Sequence, residues 1–405
     1  MIILSILINL AEKTLLNVLK KLFYTVMIRS KKNILLLHSS NDLYGASKIF
    51  LQLIDLFISK DFNVHVVLPE KGKLDDFLNK KDIMISYHEL GVLRKKYLNP
   101  LGLFNRLVTN IKAVKFLSNY INRYSIDLVY TNTSTVLCWG IAAKQNGIAS
   151  IFHVHEIPTG NKLYEFFSGK IINRISNKVL TVSESVKKHW VKNINENKIE
   201  RVYNGIEYKK IDSIIKLEKD QGDFVITSVA RLIPYKGHLY LIEIADELLK
   251  KSPKFRFLIV CDTLPSYVSY EKSVKQKVND QRLENQIKFL GFREDVSSIL
   301  KQSDLFINPA IEPDPLPTVL FESLHNDLQS VATNLGGAIE ILDNGNNGLL
   351  IPYDDSKKAA NLINEYCINI KLQKKHLENS KKNFKINFSS KTFNKKILKE
   401  VNNLL

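Results

Sequence analysis

Two stretches in the second half of this 405-residue chain place charged side chains where they could share one ligand. In VARLIPYKG, Arg231 and Lys236 stand five residues apart at the end of an apolar run. An arginine presents a planar fork to phosphate oxygens and a lysine adds a mobile point charge, so the pair suits a single anion. Further on, IEPDPLPTVLFES (311–323) sets Asp314 just before Pro317 and Glu322 inside the helical run that follows. Proline is well tolerated as a first helical residue, where its missing N–H would have no partner. A helix opening at Pro317 leaves the amides of Thr318 and Val319 facing outward, which is a cradle for an anion. Asp314, with Glu312 close by, supplies carboxylates that accept hydrogen bonds from hydroxyl groups.

An anion clamp beside hydroxyl-seeking carboxylates fits a nucleotide-diphosphate sugar, which has a diphosphate in the middle and hydroxyl-rich rings at both ends. Commoner phosphate-binding patterns are missing. The first predicted turn, HSSNDLYGASK, holds only Gly45 where a dinucleotide fold wants G-x-G-x-x-G, and no G-x-x-x-x-G-K-[ST] loop occurs. There is no D-x-D sequence, so nothing in the pattern demands a metal. Cys138, Cys261 and Cys367 are widely spaced and odd in number, which predicts neither a disulfide framework nor a metal site and fits a reducing cytosol.

These groups need strands that end at one place. NILLLHSS, NVHVVLPE, IDLVYTNT, ASIFHVHE and NKVLTVSE read as strands separated by helical stretches such as ASKIFLQLIDLFISK. After a polar pause from about Asn204 to Gly222 the rhythm resumes with FVITSVAR, FRFLIVCD, IKFLGF, DLFINPA, LQSVATN and GLLIPY. Apolar strands alternating with helices predict parallel sheets covered on both faces, with ligands at the strands' carboxyl ends. The expected fold is α/β, with two doubly wound Rossmann-like domains facing a central cleft. Residues 29–205 form the first domain, 206–380 the second, and 381–405 a basic helical tail.

The first 28 residues read as an amphipathic helix, with Leu4, Leu7, Ile8, Ala11, Leu15, Val18, Leu19 and Leu22 on one stripe. The apolar run is interrupted by Glu12 and Lys13 before it could span a bilayer, and it lacks the charge of a signal peptide. It suits a bilayer interface, or packing on a domain; translation from Met27 is a further alternative. The chain is 45% apolar and 24% charged with a net charge of +17, which excludes a disordered or fibrous class. Its lysines are scattered and not interleaved with aromatics, against nucleic acid and compatible with an anionic membrane surface or a phosphorylated ligand. Together these features predict a cytoplasmic protein, peripheral on the inner face of the plasma membrane.

The ordered set VARLIPYKG, IKFLGFREDV, DLFINPA, DPLPTVLFE and NNGLLIPYDD resembles the retaining nucleotide-sugar glycosyltransferases of family 4 (glycosyl transferases group 1). YGASKIFLQL, HVHEIP, TVSESVKKHW and VYNGIE extend the resemblance into the first half. It covers roughly residues 30 to 355 and implies the two-domain GT-B fold. It implies that Arg231 and Lys236 neutralise the donor diphosphate and that Glu322, second carboxylate of an E-x7-E pattern, binds ribose hydroxyls. Asp314 takes the first carboxylate's place, on the donor sugar. Gly45 lets the first domain's backbone approach the diphosphate, His155 sits at the sugar or acceptor side, and Gly291 with Phe292 lies beside the nucleobase. The implied activity moves a sugar to a saccharide or polyprenyl-linked acceptor in capsule, O-antigen or lipopolysaccharide synthesis, with no cofactor beyond the donor substrate.

The chain departs from the family pattern in places. Asp replaces Glu at 314, Pro317 stands where glycine is common, and Tyr44 and Ser47 replace parts of a Gly-Gly-x-Glu turn. These departures leave a rival reading, a catalytically silent scaffold that binds a sugar nucleotide. By position alone, His38 and His153 read as structural, Asn204 and Gly205 as a turn, and Glu156 as either an ion-pair partner or an acceptor contact.

Overall fold

Residues 33–37, NILLL, form the first strand and are buried at four of five positions. The computed structural model describes residues 31–405 apart from 44, 93–96, 98, 158–161 and 206–219. The amphipathic stretch 1–28 and most of the junction between the halves therefore lie outside the described residues.

The first sheet is built from β1 (Asn33–Leu37), β2 (Asn63–Leu68), β3 (Met84–Tyr87), β4 (Leu128–Thr131), β5 (Ala149–Val154), β6 (Lys178–Thr181) and β7 (Ile199–Arg201). Its order is β3-β2-β1-β4-β5-β6-β7, and every pairing is parallel. The second contains β8 (Phe224–Val229), β9 (Phe255–Val260), β10 (Ile287–Gly291), β11 (Leu305–Asn308), β12 (Ser330–Thr333) and β13 (Leu349–Ile351). These are also parallel throughout, in the order β10-β9-β8-β11-β12-β13. Eleven of these strands are the apolar runs named from sequence. The two that were not, β3 and β7, lie at the edges, where only one neighbour and partial burial weaken the apolar signal.

Helices cover both faces of each sheet, as the burial of adjacent strand residues requires. On one face of the first sheet, Phe50, Leu53 and Phe57 of helix Gly45–Ser59 pack on Ile34, Leu36 and Tyr130. On the other, Ala113 and Leu117 of helix Pro100–Arg123 pack with Trp139 on Leu35 and Val129. Each fully buried side chain of this size is worth about 1.5–3 kcal/mol, which offsets the ordering cost of the chain.

The chain's end does not stand apart as a tail. A five-residue π turn at Phe384–Phe388 redirects it, and helix Ser390–Asn402 buries Phe393, Ile397 and Val401 against the first sheet. Lys178 meets Glu400 there at 3.1 Å. Phe388, 4.8 Å from Phe321 and 4.7 Å from Tyr203 between ring centres, sits in an apolar cluster drawn from both halves. The Glu340 carboxylate joins the halves again, accepting from the amides of Glu184 (2.7 Å) and Ser185 (2.8 Å) at the start of helix Glu184–Trp190.

Candidate active site

Each sheet reverses its strand order once, between β1 and β4 in the first and between β8 and β11 in the second. Loops leaving such a switch point part to opposite faces and open a crevice at the strands' carboxyl ends. The loops after β1, β8 and β11 all line one cavity of about 530 Å³ between the halves. Gly45, His155, Arg231, Lys236, Asp314, Thr318 and Val319 are on its wall.

The second half's wall is laced together. Pro234–Lys236 makes a single 3-10 turn that closes on Gly237 at φ 76°. A Cβ at Gly237 would stand 1.8 Å from the Pro309 carbonyl oxygen, so only glycine lets the two switch-point loops touch. The Ile311 amide donates to the Tyr235 carbonyl at 3.0 Å, and Thr333 Oγ1 donates to the Ala310 carbonyl at 2.6 Å. The Gly337 amide fixes the Asp314 carbonyl at 2.8 Å. Held this way, Lys236 donates directly to the buried Asp314 carboxylate.

Pro317 lies one position earlier than expected. It is the extended residue that precedes helix Thr318–His325, with φ −68° and ψ 101°. Its fixed φ suits that cap as well as a first helical turn, and the first amides of a helix have no intrahelical partner. Across the cavity a Cβ on Gly45 would come within 3.6 Å of Thr318 Oγ1, so the first half's helix start faces the second's.

The first half's wall carries a directional hydrogen-bond chain. Asn132 Nδ2 donates to the Ala46 carbonyl at 3.1 Å, which orients the amide. Its Oδ1 then accepts from His155 Nε2 at 2.8 Å, while Nδ2 also faces His38 Nδ1 at 3.3 Å. An amide oxygen only accepts and an amide nitrogen only donates, so both imidazoles carry hydrogen on Nε2. His38 passes its hydrogen to Ser47 Oγ at 3.1 Å, and Ser47 donates to Asp42 at 2.9 Å. Burial pushes His38 down to about 4 and holds His155 well below the usual histidine range, so both are neutral near pH 7.

Glu156 also lines the cavity, and among the described residues its partners are hydroxyls and amides, with no ion pair. It accepts from Thr133 Oγ1 (2.5 Å), Ser134 Oγ (3.0 Å) and the amides of Ser134 (3.1 Å) and His155 (3.2 Å), fixing the turn after β4. Burial pushes its carboxyl pKa up, against the pull of these donors.

Three residues singled out from sequence are not on the cavity wall. Glu322 is largely buried and lies 3.7 Å from Lys48 of the first half, with burial raising its pKa against the pull of that lysine. Gly291 adopts φ 66° at the end of β10, and Phe292 is exposed. Conversely, His38 and Asn204, read by position as structural and as a turn, both line the wall, as does Asn308 at the end of β11, which no motif singled out. Asn308 Nδ2 and Asn204 Oδ1 are buried with no hydrogen-bond partner among the described residues, so each can serve a polar ligand. The available signal was the place of Asn308 and His38 at the carboxyl ends of strands β11 and β1.

Comparison with known proteins agrees with this geometry. The family described as Glycosyltransferase Family 4 matches residues 44–210, and Glycosyl transferases group 1 matches residues 209–383. The chain belongs to this glycosyltransferase family. Within it, the chain is 25% identical over 346 residues to the UDP-Gal:alpha-D-GlcNAc-diphosphoundecaprenol alpha-1,3-galactosyltransferase of Escherichia coli, covering 79% of this chain and 84% of that protein. It is 29% identical over 359 residues to an uncharacterized glycosyltransferase of Methanocaldococcus jannaschii, covering 82% and 88%. Among solved structures, Anabaena HepE in complex with UDP and glucose superposes with a TM-score of 0.75 at 23% identity, covering 92% of this chain and all of that one. The fold is GT-B, and the enzyme class is glycosyltransferase.

Proposed function

We propose that this glycosyltransferase moves a hexose from a UDP-sugar to a saccharide carried on a lipid diphosphate, with retention of configuration and without a metal. One observation carries the reading. Arg231, Lys236 and the start of helix Thr318–His325 converge on the same cavity that His155 and Gly45 reach from the other half. As the bond from the anomeric carbon to the diphosphate breaks, negative charge grows on the leaving oxygens. Two cations and helix amides fixed in advance stabilise that charge more than they stabilise the ground state. The acceptor hydroxyl bonds to the anomeric carbon on the same face, and its proton passes to the departing phosphate. No side-chain nucleophile is required.

The nucleotide and acceptor are proposed from the activity of the Escherichia coli relative. That Asp314 pairs with Lys236 supports Glu312, exposed on the wall, over Asp314 as the carboxylate that meets a sugar hydroxyl. The test is transfer from UDP-, GDP-, ADP- and CMP-sugars in the presence of a chelator, with the product's anomeric configuration read by NMR. Retained configuration with a UDP-sugar is the expected result. Binding of a donor with neither transfer nor slow hydrolysis would make the chain a silent scaffold instead.

A further inference from the structure

We infer that the cleft-end halves of helices Pro100–Arg123 and Lys162–Ile175 form a docking surface for an anionic lipid bilayer. Both follow strands of a parallel sheet, β3 and β5, so both begin at the end of the sheet where the cavity opens. Helix Cys138–Gln145 packs against both, so the two flank it on one face of the sheet.

The first helix buries residues only from Thr109 onward, through Thr109, Ala113, Leu117, Tyr120 and Ile121. On its opposite face Leu101, Phe104, Val108 and Ile111 recur at helical spacing, and Leu101 is 84% and Phe104 67% exposed. Lys112 and Lys115, both exposed, continue that face away from the cleft. The helix has no acidic residue. The second helix repeats the arrangement: Leu163 and Phe167 are exposed toward its start, and Lys170 and Arg174 follow on the same side. Its one acid, Glu165, turns away to His189 at 3.7 Å.

The two helices that flank helix Cys138–Gln145 thus show the same sequence of apolar then cationic side chains along their exposed faces. A core-facing stripe would be covered, and a face for an ordinary protein partner would carry both signs of charge. Apolar side chains that enter the acyl boundary beside cations that meet phosphate headgroups are what a bilayer interface selects. Among the described residues no helix is long and apolar enough to cross a membrane, so the surface rests on the bilayer. Docking there would hold a lipid-linked acceptor's headgroup at the mouth of the cavity; only that purpose rests on the proposed acceptor.

The experiment uses the full chain and vesicles of phosphatidylcholine alone or mixed with phosphatidylglycerol. Fluorescent labels on Phe104→Cys and Phe167→Cys should be quenched by spin-labelled lipid in the mixed vesicles, while one on Ile368→Cys, exposed at the end of helix Ser356–Ile368 in the second half, should not. The double variants L101S/F104S and L163S/F167S should each weaken vesicle binding about tenfold or more with unchanged melting and unchanged slow donor hydrolysis. K112E/K115E should abolish the preference for phosphatidylglycerol. Unquenched labels on vesicle-bound protein, or unaltered binding by the double variants, would overturn the inference and assign the face to residues 1–30 or to a second copy. Loss of donor hydrolysis in the unsubstituted protein would instead count against the proposed reaction.

Discussion

Replacing Lys236 by alanine separates two roles that the structure gives one side chain. Lys236 stands on the wall of the cavity and also holds the buried carboxylate of Asp314. In the proposed reaction, removing it takes away a cation beside the leaving diphosphate, for which a loss of roughly 10²- to 10³-fold in turnover is typical. It also strands Asp314, only 8% exposed, without its charged donor. An unsatisfied buried group costs about 1–3 kcal/mol, and solvent in the cavity keeps this case near the lower end. Lys236→Ala is therefore expected to lose both turnover and stability. Adding Asp314→Asn should return most of the stability, because the stranded charge is gone, while turnover stays low. Denaturant melts and transfer assays on the two single variants and the double variant complete the cycle. Recovery of turnover together with stability in the double variant would refute the phosphate role of Lys236 and leave it a structural ion-pair partner.

The buried histidines set an acid limit. Burial pushes His38 down to about 4 and His153 to about 3, below the unfolded value of 6.5, so the unfolded chain binds more protons in between. Stability should therefore be full above pH 6.5 and fall below it by about 1.4 kcal/mol per pH unit for each such histidine, read by melts from pH 7 to 4. Glu340→Gln weakens two charge-assisted bonds between the halves, so a loss of about 1–3 kcal/mol and a wider scattering profile are expected. Gly237→Ala should abolish transfer and lower the melting temperature, because the new Cβ cannot share space with the Pro309 carbonyl; wild-type turnover would show that the two loops need not touch.

The fold was legible because a covered parallel strand must be apolar throughout, and runs such as NILLL and FRFLIV leave no other assignment. Edge strands β3 and β7 escaped because one-sided pairing relaxes that demand. Of the site, Arg231, Lys236 and the start of helix Thr318–His325 were visible as charges and prolines at the ends of strands. The chain from His155 through Asn132 and His38 to Asp42 was not, since its links span up to 94 residues and none has a distinctive neighbour. Nor could sequence show that Lys236, while lining the cavity, also pairs with Asp314, that Glu322 lies behind the wall, or that the last helix returns to the first sheet. Local spacing determined which elements form and which residues end them, because period and chemistry are properties of a few neighbours. Which of those ends meet, and which charges face a ligand instead of each other, was decided only when strand order brought distant loops to one cleft.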